Sequence, residues 1–235
     1  MTYVISDLHG YPLEKSKKLL EKAKFSDNDF LYILGDVIDR NGDGGVEMLC
    51  WLLEQPNIQL ILGNHEAMLL SCEFVFDEIT NESVEAMNTE KVELLSNYMF
   101  NGGDLTLAYL RELNKTSPET VSDILDYLHD APLYEAITVG GNDFLLVHSG
   151  IDNFDKNKKL SSYSSDDLLW ARPKLDDEYF DDIITVFGHT PTRSYGEGYT
   201  GKIIKTKTWI NIDVGAGFGQ EPVLLRLDDF KEFQL

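Results

Sequence analysis

Short apolar runs rich in β-branched and aromatic residues recur along the chain. Tyr3–Ser6, Phe30–Leu34, Ile58–Leu62, Phe144–Val147, Ile184–Phe187, Trp209–Val214 and Val223–Leu227 each predict a strand buried on at least one face. Between the early runs the period changes. Pro12 stands at the favoured first-turn position ahead of Leu13, Leu19, Leu20 and Ala23, and Val46-Leu49-Cys50-Leu53 repeats at i, i+3, i+4, i+7, so both segments predict helices with one buried face. From about Ala67 to Leu133 strand signals thin out and helix formers dominate. This stretch predicts a helical insertion or lid, interrupted at Asn101-Gly102-Gly103 and near Ser117-Pro118. Strand–helix alternation at the front and strands at the back predict an α/β fold, sheets flanked by helices.

No internal repeat, low-complexity block or Gly/Pro/Ser-rich linker divides the 235 residues, which predicts one domain over 1–235 with the lid inside it. With 20 basic against 41 acidic residues the formal charge is −21, which argues against a protein that grips nucleic acid or an anionic membrane through clustered cations. The insertion carries acidic residues such as Glu73, Asp77, Glu78, Glu82, Glu85, Glu90 and Glu93, which read as a solvated face. Two cysteines, Cys50 and Cys72, make no disulfide framework or zinc pattern and read as core thiols. The opening MTYVISDLHG lacks a basic n-region, and no run of eighteen apolar residues occurs, so a cytoplasmic location is expected.

The informative polar residues fall where the predicted strands end. SDLHG, GDVIDR, GNHE, HSG and GHTP follow five of them, and strand ends at one sheet edge are where α/β sites assemble. Asp7 and His9 project to the same side if the first strand continues through them, and Asp36 shares a turn with Asp39 and Arg40. Asn64 adds a neutral oxygen, with His65 beside it pointing elsewhere. No GxSxG elbow, Cys–His pair or GxxxxGK[ST] loop is present. Asp and Asn at strand ends also make ordinary turns and caps, but five such clusters together form a ligand inventory for a divalent ion. Carboxylates mixed with imidazoles suit Mn, Fe, Zn or Co, and six candidate ligands exceed what one tetrahedral ion needs, so two ions bridged by Asp36 are the economical reading. His129 matches nothing and is expected on the surface near a helix end, and Asp213 in NIDVG is expected to be structural.

In that order, SDLHG, GDVIDR, GNHE, VHSG and FGHTP resemble the metal-dependent phosphoprotein phosphatases of the calcineurin-like superfamily, most of all the short bacterial and bacteriophage serine/threonine phosphatases. The resemblance implies two mixed sheets sandwiched between helical layers and two divalent ions, Mn above all, with Fe, Zn, Co or Ni as alternatives. It implies that Asp7, His9 and Asp36 hold the first ion, and that Asp36, Asn64, His148 and His189 hold the second. His65 becomes the general acid, oriented by Asp39, while Arg40 and Arg172 clamp the phosphate. The implied reaction is hydrolysis of phosphoserine and phosphothreonine, with phosphotyrosine also in range, by hydroxide bridging the metals. The implied partner is a phosphoprotein or phosphopeptide, and the acidic lid favours basic residues around the phosphosite. Ser6, Leu62 and Asn41 depart from the usual pattern without removing a ligand, and the Tyr-containing C-terminal loop of the eukaryotic enzymes is missing. Symmetrical diadenosine tetraphosphate hydrolases share these motifs but tend to carry GNHD, so Glu66 leans toward the phosphatase. A non-catalytic scaffold is the rival of another class, and its expected loss of ligands or of the acid pair is not found here.

Overall fold

A computed structural model describes residues 1–77, 80 and 87–235, and among these ten strands form two mixed sheets. In the first sheet, β1 (Thr2–Ile5), β2 (Phe30–Ile33) and β3 (Ile58–Leu60) run parallel, and β9 (Leu224–Arg226) and β10 (Lys231–Phe233) close one edge antiparallel, in the order β10-β9-β1-β2-β3. The second contains β4 (Tyr134–Val139), β5 (Asn142–Val147), β6 (Ile183–Phe187), β7 (Ile204–Lys205) and β8 (Trp209–Asn211), ordered β4-β5-β6-β8-β7. Strand alternation sets the layers. On β1, Val4 points between the sheets to meet Leu34, Phe144, Leu146, Val186 and Leu225, while Tyr3 and Ile5 point the other way, toward helices. On β5, Phe144 and Leu146 face the same inter-sheet core, and Leu145 and Val147 face an outer cluster with Tyr163, Leu168, Phe187 and Trp209.

The helices α1 (Leu13–Ala23), α2 (Val46–Leu52), α3 (Asn64–Ser71), α4 (Thr89–Tyr98), α5 (Asp104–Thr116) and α6 (Pro118–His129) belong to the first sheet's side, through Leu19, Leu49, Leu52, Leu69, Leu110, Ile124 and Leu128. Among the described residues the outer face of the second sheet carries a single short helix, α7 (Ser165–Leu169), and otherwise loops and 3-10 turns, so the two helical layers are unequal. The insertion is helical and broken where its Gly and Pro residues stand. A π-turn over Met99–Gly103 joins α4 to α5 with Gly102 at φ 102°, and Pro118 opens α6. Glu78, Glu82 and Glu85 lie outside the described residues.

Two expectations need correction. Cys50 is not a core residue: α2 buries Val46, Met48, Leu49 and Leu52, leaving Cys50 half-buried beside a surface cleft shared with Tyr109 and Leu113. Cys72 is fully buried, and burial pushes its thiol up to about 11. The first strand stops at Ile5, so Asp7 and His9 are not alternate positions of an extended chain: both adopt positive φ, at 52° and 44°. Three strands escape the sequence reading for one physical reason. β4, β7 and β10 are edge strands with half-buried or exposed positions, so their apolar signal is dilute. His129 closes α6 at the surface, paired with Glu73 at 2.8 Å. Among the described residues no helix is long and apolar enough to cross a membrane.

The π-turn places Gly103 against the ring of Tyr98, where an added Cβ would overlap the ring carbons, although φ −74° suits any residue. Gly103→Ala should therefore cost about 1–3 kcal/mol of stability through overpacking alone. Gly198→Ala, with nothing within 4 Å of the new carbon, should be close to neutral. Urea denaturation of both variants checks this, and equal midpoints would show that Tyr98 yields freely.

Candidate metal centre

The centre is built where β1, β2, β3, β5 and β6 end. The turns after β1 and β2 are laced together by Asp7 N–H to the Gly35 carbonyl (3.1 Å), His9 N–H to Asp36 (2.9 Å) and Gly10 N–H to Val37 (2.9 Å). The lacing forces unusual backbone: of nine non-glycine residues with positive φ among those described, six are Asp7, His9, Asp36, Asp39, Arg40 and His189. Strain concentrated in one cluster of polar residues marks a functional site. Glu66, in the first turn of α3, holds the third strand end to the second. Its carboxylate accepts the N–H groups of Asp36 (2.8 Å), Val37 (2.8 Å), Ile38 (3.3 Å) and Gly63 (3.1 Å). Burial, followed by the charge of Asp36, pushes this carboxyl up to about 7 against those four donors. Gly63 is obligatory here, since a Cβ would overlap the backbone and side chain of Asp36.

Two ligand groups meet at Asp36. On one side are His9, Asp36 and His65, and on the other Asp36, His148 and His189, all buried. Tautomers are set by the bonds each imidazole makes on its far side. His9 Nδ1 donates to the Ile38 carbonyl (3.0 Å), leaving its Nε2 lone pair 3.6 Å from Asp36 Oδ2. His148 Nδ1 donates to the Leu34 carbonyl (2.7 Å), leaving Nε2 facing Asp36 Oδ1 at 3.5 Å, Asn64 Oδ1 at 2.9 Å and His189 Nδ1 at 3.2 Å. His189 Nδ1 lies 2.9 Å from the same Asn64 oxygen, while its buried Nε2 has no partner. Burial lowers all three imidazoles, His9 to about 3 and His189 to about 2, so they are neutral and their lone pairs are free. Acceptor atoms converging without protons between them repel unless a cation lies among them, and this donor set fits divalent metal ions.

Asp7 stands slightly apart. It is not a member of either compact group; both its oxygens accept the His189 N–H, at 3.0 and 2.9 Å. Burial and the nearby carboxylates of Asp213 and Asp36 push it well up, a cost that a neighbouring cation would relieve. Asp213, expected to be only structural, accepts the Gly215 N–H at 2.9 Å and is itself pushed up to about 7 by burial.

His65 and Asp39 form the expected pair, Nδ1 to Oδ2 at 2.6 Å. Burial works to lower the imidazole, but the charges of Asp36 and Asp39 together raise it above its ordinary value. The second oxygen of Asp39 accepts from Tyr98 (2.8 Å) and Thr106 (2.5 Å), both on the insertion, which thus braces this pair from behind. Arg40 donates to His65 Nε2 at 2.8 Å, and exposed Arg172 reaches Thr190 Oγ1 at 3.4 Å beside His148 and His189. Asn41 ties the His9 carbonyl (3.0 Å) to that of Gly217 (3.3 Å), which gives this departure from the usual pattern a definite task. Every residue singled out for the site is thus brought to one place. Glu66, Tyr98 and Thr106 were missed as supporting residues, and only Glu66, at the third helical position of GNHE, carried a signal, that of an N-terminal capping residue.

Comparison with known proteins agrees with this geometry. The calcineurin-like phosphoesterase family matches residues 2–208. A symmetrical bis(5'-nucleosyl)-tetraphosphatase from Buchnera aphidicola subsp. Acyrthosiphon pisum (strain Tuc7) is 37% identical over 100 residues, covering 37% of this chain and 36% of that protein. One from Haemophilus ducreyi (strain 35000HP / ATCC 700724) is 25% identical over 193 residues, covering 81% of this chain and 58% of the relative. The chain thus spans from about a third to under two thirds of the length of these relatives. A solved structure named as a candidate diadenosine tetraphosphatase superimposes with TM-score 0.60 at 16% identity, covering 100% of this chain and 92% of its own, a likeness of fold. With the family matched across most of its length, the chain belongs to the calcineurin-like phosphoesterases.

Proposed function

We propose that the chain is a dinuclear metal-dependent hydrolase that cleaves dinucleoside tetraphosphates symmetrically. Two adjacent ligand groups sharing Asp36 are the observation that carries hydrolysis at phosphorus. The substrate rests on the tetraphosphatase names of the matching relatives, and it moves the reading away from a protein phosphatase. Glu66, which leaned toward the phosphatase, is fully buried and spends its carboxylate on backbone N–H groups, so its identity cannot report on substrate.

In this proposal Asp7, His9 and Asp36 hold one ion and Asp36, Asn64, His148 and His189 the other. Such a pair supplies a nucleophilic water near neutral pH and Lewis-acid stabilisation of the phosphoryl oxygens. The residues do the rest. Arg40 and Arg172 offer planar forks to the oxygens on which charge develops. Arg40 now donates to His65 Nε2, so turning it to a bound phosphoryl group frees that nitrogen to carry a proton to the leaving oxygen. Asp39, held by Tyr98 and Thr106, keeps the opposite ring nitrogen occupied and the imidazole in position.

Equilibrium dialysis against Mn followed by metal analysis should find about two ions per chain. Asp36→Asn should weaken both and His148→Asn one, and an intact fold that takes up no metal would sink the proposal. On one Mn-loaded preparation with a chelated control, cleavage of diadenosine tetraphosphate should exceed phosphate release from a phosphoserine peptide. The reverse preference would restore the protein phosphatase, and activity on neither would restore a binding scaffold. His65→Asn should cut turnover of an alkyl phosphomonoester by about 10²–10⁴-fold. The loss on an aryl phosphate, whose leaving oxygen needs little help from a proton, should be much smaller, and equal losses would remove His65 from the acid role.

A further inference from the structure

Three of the chain's five arginines gather at the centre. Arg40 and Arg172 were expected there, but Arg193 was not. It lies in the 3-10 turn Thr192–Tyr195 just beyond β6, a turn fixed by the Thr192 N–H donating to the Asp213 carbonyl at 2.8 Å. Among the described residues none of the three is ion-paired, whereas Arg226 is held by Asp229 at 2.6 Å. Unpaired guanidinium groups clustered at the site of so acidic a chain mark a place reserved for an anion.

The guanidinium of Arg193 lies 4.0 Å from the centre of the Phe218 ring, and that of Arg40 lies 5.3 Å from the same ring. Phe218 is 48% exposed, so it is not there to fill a core. Its loop is nevertheless pinned to the centre. Gly217 packs so closely on His9 that a Cβ would come within 2.6 Å of the imidazole and 3.2 Å of Arg40, and Asp213 accepts the Gly215 N–H. Two like charges gathered on one exposed ring repel each other, and an anion bridging them removes that cost.

We propose that Arg193, seated on Phe218, forms a subsite for the phosphoryl group next to the one being cut. The site would thereby select polyphosphate chains over simple phosphomonoesters. The subsite rests on the phosphoesterase reading of the centre and deepens it: Arg40 serves the reacting phosphoryl group and Arg193 its neighbour.

Calorimetric titration of the Mn-loaded protein with methylenediphosphonate, a pyrophosphate analogue whose P–C–P link cannot be hydrolysed, and with orthophosphate, at fixed free Mn, tests the subsite without turnover. Wild type should prefer the diphosphonate, and Arg193→Met should reduce that preference about tenfold. Arg193→Lys should keep part of it and Phe218→Leu should fall between. A preference unchanged in Arg193→Met, or absent from wild type, overturns the subsite. In parallel, Arg193→Met should lower kcat/KM for diadenosine tetraphosphate, mainly through KM, by about tenfold more than it lowers kcat/KM for p-nitrophenyl phosphate. Equal losses on the two substrates would mean that Arg193 only shapes the loop. Should wild type ignore the tetraphosphate while its diphosphonate preference still depends on Arg193, the substrate reading falls and the subsite stands.

Discussion

Asp36 is the constraint around which the rest is arranged. Its carboxylate is 2% exposed and shared by both ligand groups, and burial alone would push its pKa up. In acid, where they take up protons, the imidazoles of His148, His65, His9 and His189 hold it well below the ordinary carboxylate range instead. That balance requires four side chains from four other strand ends to converge on one atom pair. Glu66 makes convergence possible by spending its own buried carboxylate on the backbone of the Asp36 turn and on Gly63, which welds two strand ends into one rigid unit.

The insertion is more than a cover. Through Tyr98 and Thr106 it grips the far oxygen of Asp39, which in turn sets the ring of His65. A movement of α4 against α5 at the π-turn would therefore reach the Asp39–His65 pair directly, by a chain of three hydrogen-bonded side chains. Global charge and local charge also part company here. A chain at −21 is a poor partner for anions in general, yet it concentrates three arginines, none ion-paired among the described residues, around a centre fitted for divalent cations. On the proposed function, specificity for an anionic substrate comes from a small region whose field opposes that of the surface around it.

What the chain reveals by inspection depends on whether a signal is local. The buried strands β1, β2, β3, β5 and β6 announce themselves as apolar runs, and the polar clusters at their ends carry every anticipated residue of the site except Arg172, which follows α7. The half-buried edge strands β4, β7 and β10 do not, and Cys50 was misplaced because a helical repeat specifies a stripe only to within about one residue. The metal chemistry and the family were legible because a strand end delivers its ligands within a few residues of the run that precedes them.

Tertiary structure alone decided the partnerships. Tyr98 meets Asp39 across 59 positions and Thr106 across 67, with nothing in either residue's neighbourhood to mark the bond. Arg193 and Phe218 sit in separate loops and meet only because β6 and the turn after β8 end at the same edge. The left-handed backbone at Asp7, His9, Asp36 and His189 belongs to the same class, since it is imposed by lacing one strand end to another. Periodicity and residue type determine which face is buried and which groups are available. Which of them touch is settled by packing energies between segments far apart in the chain, and those have no counterpart in the linear order of residues.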